Sequence, residues 1–389
     1  MNSRRNFLKQ ISGAALAVGA SSQLFLWGQS FSTQGGIDVP GEDGMIVRSF
    51  RFVDLETPVE YLNKWLTPTP HFFVRNHMHE PSELSAQDWR LALGGEVEKP
   101  FTLTLTELSR IEKHSVVNTL ECAGNGRGLH RPQVPGIQWG KGAVSTARFS
   151  GPRLRDVLQR ARIKSNGKHV MFRGLDEVPG KVPPFIRSIP IDKALDSDTI
   201  IATHMNDAPL TKHHGFPARA LVPGWIGAAS IKWLAEIKVL ESEFAGNFMS
   251  PGYRFPNQAV KPGDTVKPEE THVLTGLNVK SVISSPLDRT TLKAGKVAVH
   301  GVAWAGEADI VKVEVSADGG ASWSPATLGH ERARYAWRLW TYEWKAKAGD
   351  YTILCRATDS QGRTQPDTPV WNPSGYLYNA VDQVRIHVA

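Results

Sequence analysis

The sequence predicts an α+β protein of two domains, a mixed region over residues 71–260 followed by an all-β region over 261–389. Three observations carry this. Up to about Phe255 the chain mixes short strand and helix patterns without regular alternation, which argues against a doubly wound sheet. A break rich in proline and polar residues follows, Pro256-Asn257-Gln258-Ala259-Val260-Lys261-Pro262-Gly263-Asp264. Beyond it strand patterns recur with turns between them and almost no helix signal, the spacing of an immunoglobulin-like sandwich.

The elements follow in order. Ser3-Arg4-Arg5-Asn6-Phe7-Leu8-Lys9 precedes a short, mildly apolar run, Ile11 to Ala20. This reads as a twin-arginine signal peptide over 1–30, which implies export to the periplasm. An amphipathic N-terminal helix or a retained signal-anchor is the alternative. Residues 31–70, rich in Gly, Pro and polar residues, read as an extended tether with one short helical pattern near Val59-Glu60-Tyr61-Leu62. Leu91 to Val97 reads as a strand with a bulge or turn at Gly94-Gly95, and Leu105 begins a helix capped by Thr104 or Thr106. Pro152 to Ala161 has the period of an amphipathic helix with proline in its first turn. In the second region Val297–Trp304 and Ile310–Ser316 alternate, and Asp318-Gly319-Gly320 closes a hairpin. Tyr335–Trp340 and Tyr351–Ala357 continue the series.

Composition sets limits. With 389 residues, 41% hydrophobic and 21% charged, the chain has ample material for a core. No internal stretch is long and apolar enough to span a bilayer. The formal charge of +7 includes Arg4, Arg5 and Lys9 in the first thirty residues, which carry no acid. The remainder is mildly basic, shows no basic-aromatic array for nucleic acid, and suits a cleft for a small anion.

There are two cysteines. Cys355 lies in Tyr351-Thr352-Ile353-Leu354-Cys355-Arg356, which reads as a core strand of the second region. Cys122 ends an apolar strand and enters a Gly/Asn loop, Asn118-Thr119-Leu120-Glu121-Cys122-Ala123-Gly124-Asn125-Gly126-Arg127. The glycines allow close backbone approach to a bulky group, and Arg127 can place a permanent charge near the thiolate. Cys122 therefore reads as a soft thiolate ligand rather than a disulfide partner of Cys355, while the cysteine taken alone favours an inert buried thiol before a turn. His213-His214 lacks further ligands at helical or hairpin spacing, so a zinc or copper site is not expected there.

Thr119-Leu120-Glu121-Cys122-Ala123-Gly124-Asn125 resembles the cysteine loop of the sulfite oxidase family. Phe72-Phe73-Val74-Arg75-Asn76-His77 resembles the family's upstream arginine segment, and Ala143 to Phe149 the stretch after the cysteine loop. His214-Gly215-Phe216-Pro217-Ala218-Arg219 and Ile231-Lys232-Trp233-Leu234 resemble its pterin-phosphate segments. The likeness runs in the family's order from about Pro68 to the C-terminus.

The resemblance implies a molybdopterin-binding domain of sulfite oxidase type followed by an immunoglobulin-like dimerisation domain, with Cys122 ligating molybdenum. It implies that Phe73, Arg75, His77, Asp176, His214, Arg219, Ser230 and Lys232 hold the pterin cofactor. Arg75, Arg127, Tyr253 and Trp139 would form the substrate site, the arginines binding the oxyanion, Tyr253 relaying a proton and Trp139 forming the wall. The implied reaction is oxidation of sulfite to sulfate in a periplasmic homodimer, with electrons leaving to a c-type cytochrome or similar carrier. A sulfane-sulfur dehydrogenase subunit, or another oxo-transfer enzyme, is the alternative. One departure stands out: vertebrate members carry an arginine where this chain has Ser374, so one cationic contact is lost unless Arg254 or another arginine compensates.

Overall fold

The computed structural model describes residues 44–389, so the twin-arginine segment and residues 31–43 of the expected tether lie outside the described residues. The part of that tether within view is folded into the protein. A hairpin of Ile46–Ser49 and Asp54–Glu56 is joined to the body by reciprocal backbone bonds between Leu55 and Val74, both 2.9 Å. Met45, Asp54, Glu56, Thr57, Leu62 and Thr67 are all buried. The expectation of an extended tether is corrected here, because the strand's inward face carries acids whose partners come from distant segments.

Two larger sheets and three two-stranded ones build the first region among the described residues. A five-stranded sheet runs Phe101–Thr104, Arg90–Gly95, Leu234–Leu240, His169–Gly174, Ile186–Pro190, with one parallel pair between Arg90–Gly95 and Leu234–Leu240. The second sheet pairs Lys113–Glu121 with Val144–Pro152 in unbroken antiparallel register, from Lys113 opposite Pro152 to Glu121 opposite Val144. It continues through His204–Met205 and Ala208–Pro209. Helices are few and short: Leu105–Ser109, Leu154–Ala161 and Ile191–Leu195. Thr104 caps the first in a capping box, accepting from the Glu107 amide while the Glu107 carboxylate accepts from the Thr104 amide at 2.8 Å. The second buries Leu154, Val157, Leu158 and Ala161, one face at helical spacing. Pro152 ends a strand rather than opening this helix, since its ring suits a strand terminus and Arg153 is the cap residue.

Residues 280–388 form two sheets that share one core. One runs Lys280–Ser285, Gly295–Trp304, Arg338–Ala346, Thr327–Leu328; the other Thr291–Leu292, Asp382–Val388, Gly349–Asp359, Ile310–Ser316, Ser324–Pro325. Val299 and Trp340 from the first meet Val313, Ile353 and Ile386 from the second in a single buried cluster. Cys355 is fully buried there, and neither it nor Cys122 is in a disulfide.

The two halves interlock. The Thr119 amide donates to the Tyr335 carbonyl at 2.8 Å, and the Trp337 amide to Thr119 Oγ1 at 2.8 Å. A mixed apolar cluster draws Leu62, Ala123, Val144, Ile226 and Tyr253 from the first half and Leu277, Val282, Trp304 and Trp337 from the second. These contacts run directly behind the cysteine loop.

Candidate functional site

The strand Lys113–Glu121 ends by delivering Cys122 into a tight turn. The Cys122 amide donates to the Ala143 carbonyl and its own carbonyl accepts from the Asn125 amide, both at 2.9 Å. Cys122 lies on the wall of a cavity. Phe73, Arg75, His77 and Asp176 share that wall, as do His214, Arg219, Ser230, Lys232 and Tyr253. Residues separated by up to 180 positions in sequence thus converge on one space.

Arg127 and Trp139 do not line this cavity. Arg127 is buried beside the cysteine loop, with Nε donating to the Ser374 carbonyl at 2.8 Å and Nη1 to the Ile137 carbonyl at 3.1 Å. Its guanidinium sits 5.4 Å from the Tyr376 ring. A Cβ on Gly124 would come 2.6 Å from its Nη2, and one on Gly136 (φ +112°) 2.9 Å from its Nη1. Those two glycines make the pocket that admits the cation. Trp139 is fully buried and its indole N–H has no partner. Glu56 holds the neighbouring backbone, accepting from the Gly140 amide at 2.8 Å and the Gly142 amide at 3.0 Å.

The cavity has a thiol end and a cationic end. Burial pushes the Cys122 thiol up, against the pull of Arg75 and Arg127. At the other end Arg219 is 5% exposed, donates to the His214 carbonyl (3.1 Å) and the Ser230 carbonyl (2.9 Å), and leaves Nε unpartnered. Among the described residues no carboxylate pairs with it, and burial alone lowers it to about 10. Lys232 donates to Asn76 Oδ1 and, at 2.8 Å, to the His213 carbonyl. Burial lowers Lys232 to about 7, partly offset by Glu80, and burial with Lys232 and Arg219 lowers His214 to about 3. Buried cations held only by carbonyls are costly unless an anion meets them. Asp176 faces the same space, raised to about 6 by burial against Lys232. Ser230 turns its hydroxyl to the Val222 amide at 3.0 Å, so its side chain is already engaged.

This charge arrangement gives a pH signature. A lysine at 10.5 in the unfolded chain and about 7 in the folded, cofactor-free protein binds its proton only in the unfolded state across that window. Stability of cofactor-free protein should therefore rise from pH 7 to 9, while Lys232 contributes no slope below 7. Thermal unfolding of protein from a host lacking the cofactor should show that rise, and Lys232→Met should flatten it. An equal slope in both proteins would refute the lowered lysine.

Arg75, His77 and Tyr253 also line the cavity. Asp54, 1% exposed, accepts from Arg75 Nη1 at 3.2 Å and from the Asn76 amide at 3.0 Å. Burial alone would lower Arg75, but Asp54, with help from Tyr253 and Cys122, holds it above its ordinary value. The His77 ring stacks on Phe185 at 3.9 Å between centroids, and its Nε2 hydrogen-bonds the Tyr253 hydroxyl. Burial, then the surrounding cations Arg75, Arg187, Lys232 and Arg127, push His77 well down, which keeps it neutral. Burial pushes the Tyr253 phenol up, so it keeps its proton. Tyr253 stacks on Tyr376 at 5.4 Å and has the Arg187 guanidinium 4.9 Å from its ring.

Sequence reasoning missed Asp54, Glu56, Arg187, Phe185 and Tyr376. One signal was present for the first two: Phe52-Val53-Asp54-Leu55-Glu56 alternates with period two, which puts both acids on one face. Arg254, considered as a replacement for the cation lost at Ser374, is tied to Thr271 by two 2.6 Å bonds and does not line the cavity.

The donor set fits a molybdenum–pterin group. Among the described residues no cluster of three His, Cys, Asp or Glu could hold a metal, and the cavity offers Cys122 as its one thiol. A metal bound here must bring its other ligands with it, and Arg219, which no carboxylate offsets, together with Lys232 suits the phosphate of such a carrier.

Comparison with known proteins agrees. A family model described as the oxidoreductase molybdopterin binding domain matches residues 77–248, and one described as the Mo-co oxidoreductase dimerisation domain matches residues 271–389. The mitochondrial sulfite oxidase of Rattus norvegicus is 37% identical over 359 residues, covering 88% of this chain and 65% of its own length. The sulfite oxidase of Gallus gallus is 38% identical over 361 residues, with coverage of 88% and 78%. An NADH nitrate reductase of Phaseolus vulgaris is 32% identical, over 86% of this chain and 41% of its own. The chain thus spans 65% of the rat relative and less of the plant one. Among solved structures, the sulfane dehydrogenase SoxCD from Paracoccus pantotrophus superposes with a TM-score of 0.77 and 25% identity, covering both chains fully.

Proposed function

The chain belongs to the sulfite oxidase family, and on that premise we propose that it is a molybdopterin-dependent oxidoreductase that converts sulfite and water to sulfate, two protons and two electrons. One observation carries the reading: a single thiol, Cys122, and the anion-seeking cations Arg219 and Lys232 share one cavity, with Arg75 also on its wall. Cys122 would bind the metal, and Arg219, Lys232, His214 and Asp176 would hold the pterin and its phosphate. When bound, the cofactor supplies a two-electron centre able to transfer oxygen.

The protein's own residues supply binding, orientation and protonation. Arg75, fixed by Asp54, presents a permanent charge to an oxyanion. Arg127 adds a second guanidinium beside the cysteine loop, held by the Ser374 and Ile137 carbonyls. Tyr253 holds a proton on its hydroxyl, and neutral His77 accepts or donates across the bond they share.

The test is direct. Purified protein should contain about one molybdenum per chain and reduce cytochrome c on addition of sulfite. Arg75→Gln should raise the sulfite KM strongly with molybdenum content nearly unchanged. Losing one charge-assisted contact costs about 1.5–3 kcal/mol, which predicts roughly a ten- to hundredfold rise. A variant that instead empties the metal site would reassign Arg75 to the cofactor. A second reading, a sulfane-sulfur dehydrogenase subunit, is favoured by the full-length likeness to SoxCD and by Ser374, which brings a backbone carbonyl and no cation beside Arg127. Parallel assays on sulfite and thiosulfate separate the two.

We further propose an immunoglobulin-like C-terminal sandwich, a homodimer formed through it, and a periplasmic location reached by the twin-arginine route. Arg4→Lys with Arg5→Lys should trap tagged protein in the cytoplasm, because lysine cannot reproduce the guanidinium fork. Equal periplasmic amounts with and without the double change would overturn the export reading.

A further inference from the structure

The residue before the proposed metal ligand is a buried carboxylate, and its partners come from the other half of the chain. Glu121, 6% exposed, accepts from Lys280 Nζ at 3.2 Å through Oε1 and from Trp304 Nε1 at 2.8 Å through Oε2. The same Oε1 accepts from Asn125 Nδ2 at 2.9 Å, so the carboxylate closes across the turn that presents Cys122. Asn125 in turn accepts the Ala143 amide at 3.1 Å through Oδ1, while Lys280 Nζ lies 3.4 Å from the Asn125 carbonyl. Lys280, Trp304 and Asn125 are 4%, 1% and 1% exposed. From the same half, the Leu377 amide donates to the Ala123 carbonyl at 2.8 Å. Every backbone position from 121 to 125 except Gly124 is thus tied, directly or through its side chain, to a neighbouring strand or to the C-terminal half.

A buried ion pair adds little net stability over well-packed apolar residues, but it holds its partners in one arrangement. Here that arrangement spans the turn that carries the Cys122 sulfur. The protein's hold on the metal depends on that sulfur, and outer partners of ligand groups commonly tune both geometry and activity. We propose that Lys280 and Trp304 are positioning residues for the Cys122 ligand. They fix the Glu121 carboxylate, which fixes Asn125 and with it the turn that aims the thiolate. The C-terminal half would thereby help to place the sulfur offered to the metal. This inference rests on the reading of Cys122 as the metal ligand.

The experiment uses the full chain with its cofactor and compares wild type with Lys280→Met, Lys280→Arg and Trp304→Phe. Metal content, the thiolate-to-molybdenum charge-transfer band in absorption and circular dichroism, and kcat and KM for sulfite are measured. Lys280→Met should keep its metal, shift the band, and lose about tenfold or more in kcat, the scale of lost outer-shell support. KM should change by no more than about twofold, since the substrate contacts are untouched. Trp304→Phe removes one N–H from the same carboxylate and should act in the same direction but less. Lys280→Arg should restore band and kcat toward wild type. If Lys280→Met does not fold, Trp304→Phe decides alone. Metal-loaded Lys280→Met and Trp304→Phe with wild-type bands and kcat would overturn the proposal. A wild-type protein with no metal-thiolate band would overturn the ligand reading itself, and this proposal with it, and that is visible before any variant is made.

Discussion

Cys122→Ser should bring turnover down to background while the protein stays folded. The hydroxyl is a harder and far less acidic donor than a thiol, so it does not give molybdenum the soft, anionic ligand that the cavity otherwise lacks. The side chains differ by one atom, and Cys122 is buried in a cluster with Leu120, Ala147 and Phe149, so the packing loss is small. The cationic end is independent of the change: Arg219 and Lys232 still face the same space. The variant should therefore retain a good part of its pterin while losing the charge-transfer band and activity together. Cys355 cannot take over, because it is fully buried in the other core with its Sγ against Ser281 Oγ at 3.4 Å. Wild-type turnover in the serine variant would sink the assignment of Cys122.

The parts of this site that were legible in the sequence are those written in contiguous residues. The strand into Cys122, the Gly/Asn loop and the segments around Arg75, His214 and Lys232 could each be read locally, and the fold brings all of them to one cavity. What stayed hidden is long-range. Lys280 reads as an ordinary strand lysine until it is seen 4% exposed against Glu121, 159 positions away. Asp54 and Glu56 were hidden by the Gly- and Pro-rich stretch around them, whose composition resembles a linker although its inward acids bind Arg75 and the loop at Gly140. Arg187 is an interior arginine held by the Phe248 and Leu274 carbonyls, a role that no local pattern announces. Arg127 was found, but its depth was not. The Ser374 carbonyl and two close glycines draw it behind the wall, and that placement depends on a loop 247 residues downstream. Backbone acceptors leave no trace in side-chain identity, so Ser374 could be read only as a missing cation.

Truncation after Val260 tests how far the C-terminal half belongs to the site. On the sequence alone this half is a dimerisation unit, and its loss should give a monomer of poor stability. The geometry predicts a larger effect. Removing it uncovers Leu62, Val144, Ile226 and Tyr253, which now pack with Leu277, Val282, Trp304 and Trp337. Each large side chain returned to water costs about 1.5–3 kcal/mol, and a domain's whole margin is only about 5–15 kcal/mol. Thr119 loses its bonds to Tyr335 and Trp337 and keeps Thr146, and Glu121 loses Lys280 and Trp304. Arg127 loses the Ser374 carbonyl and the Tyr376 ring, and Tyr253 loses its stack on Tyr376. The truncated chain should therefore be insoluble or loosely folded, with no molybdenum, at any concentration. Dilution of the full-length protein until any dimer has dissociated should leave metal and activity in place, because these contacts lie within one chain. A soluble, molybdenum-loaded fragment ending at residue 260 would show that the cysteine loop holds its shape without the strands behind it.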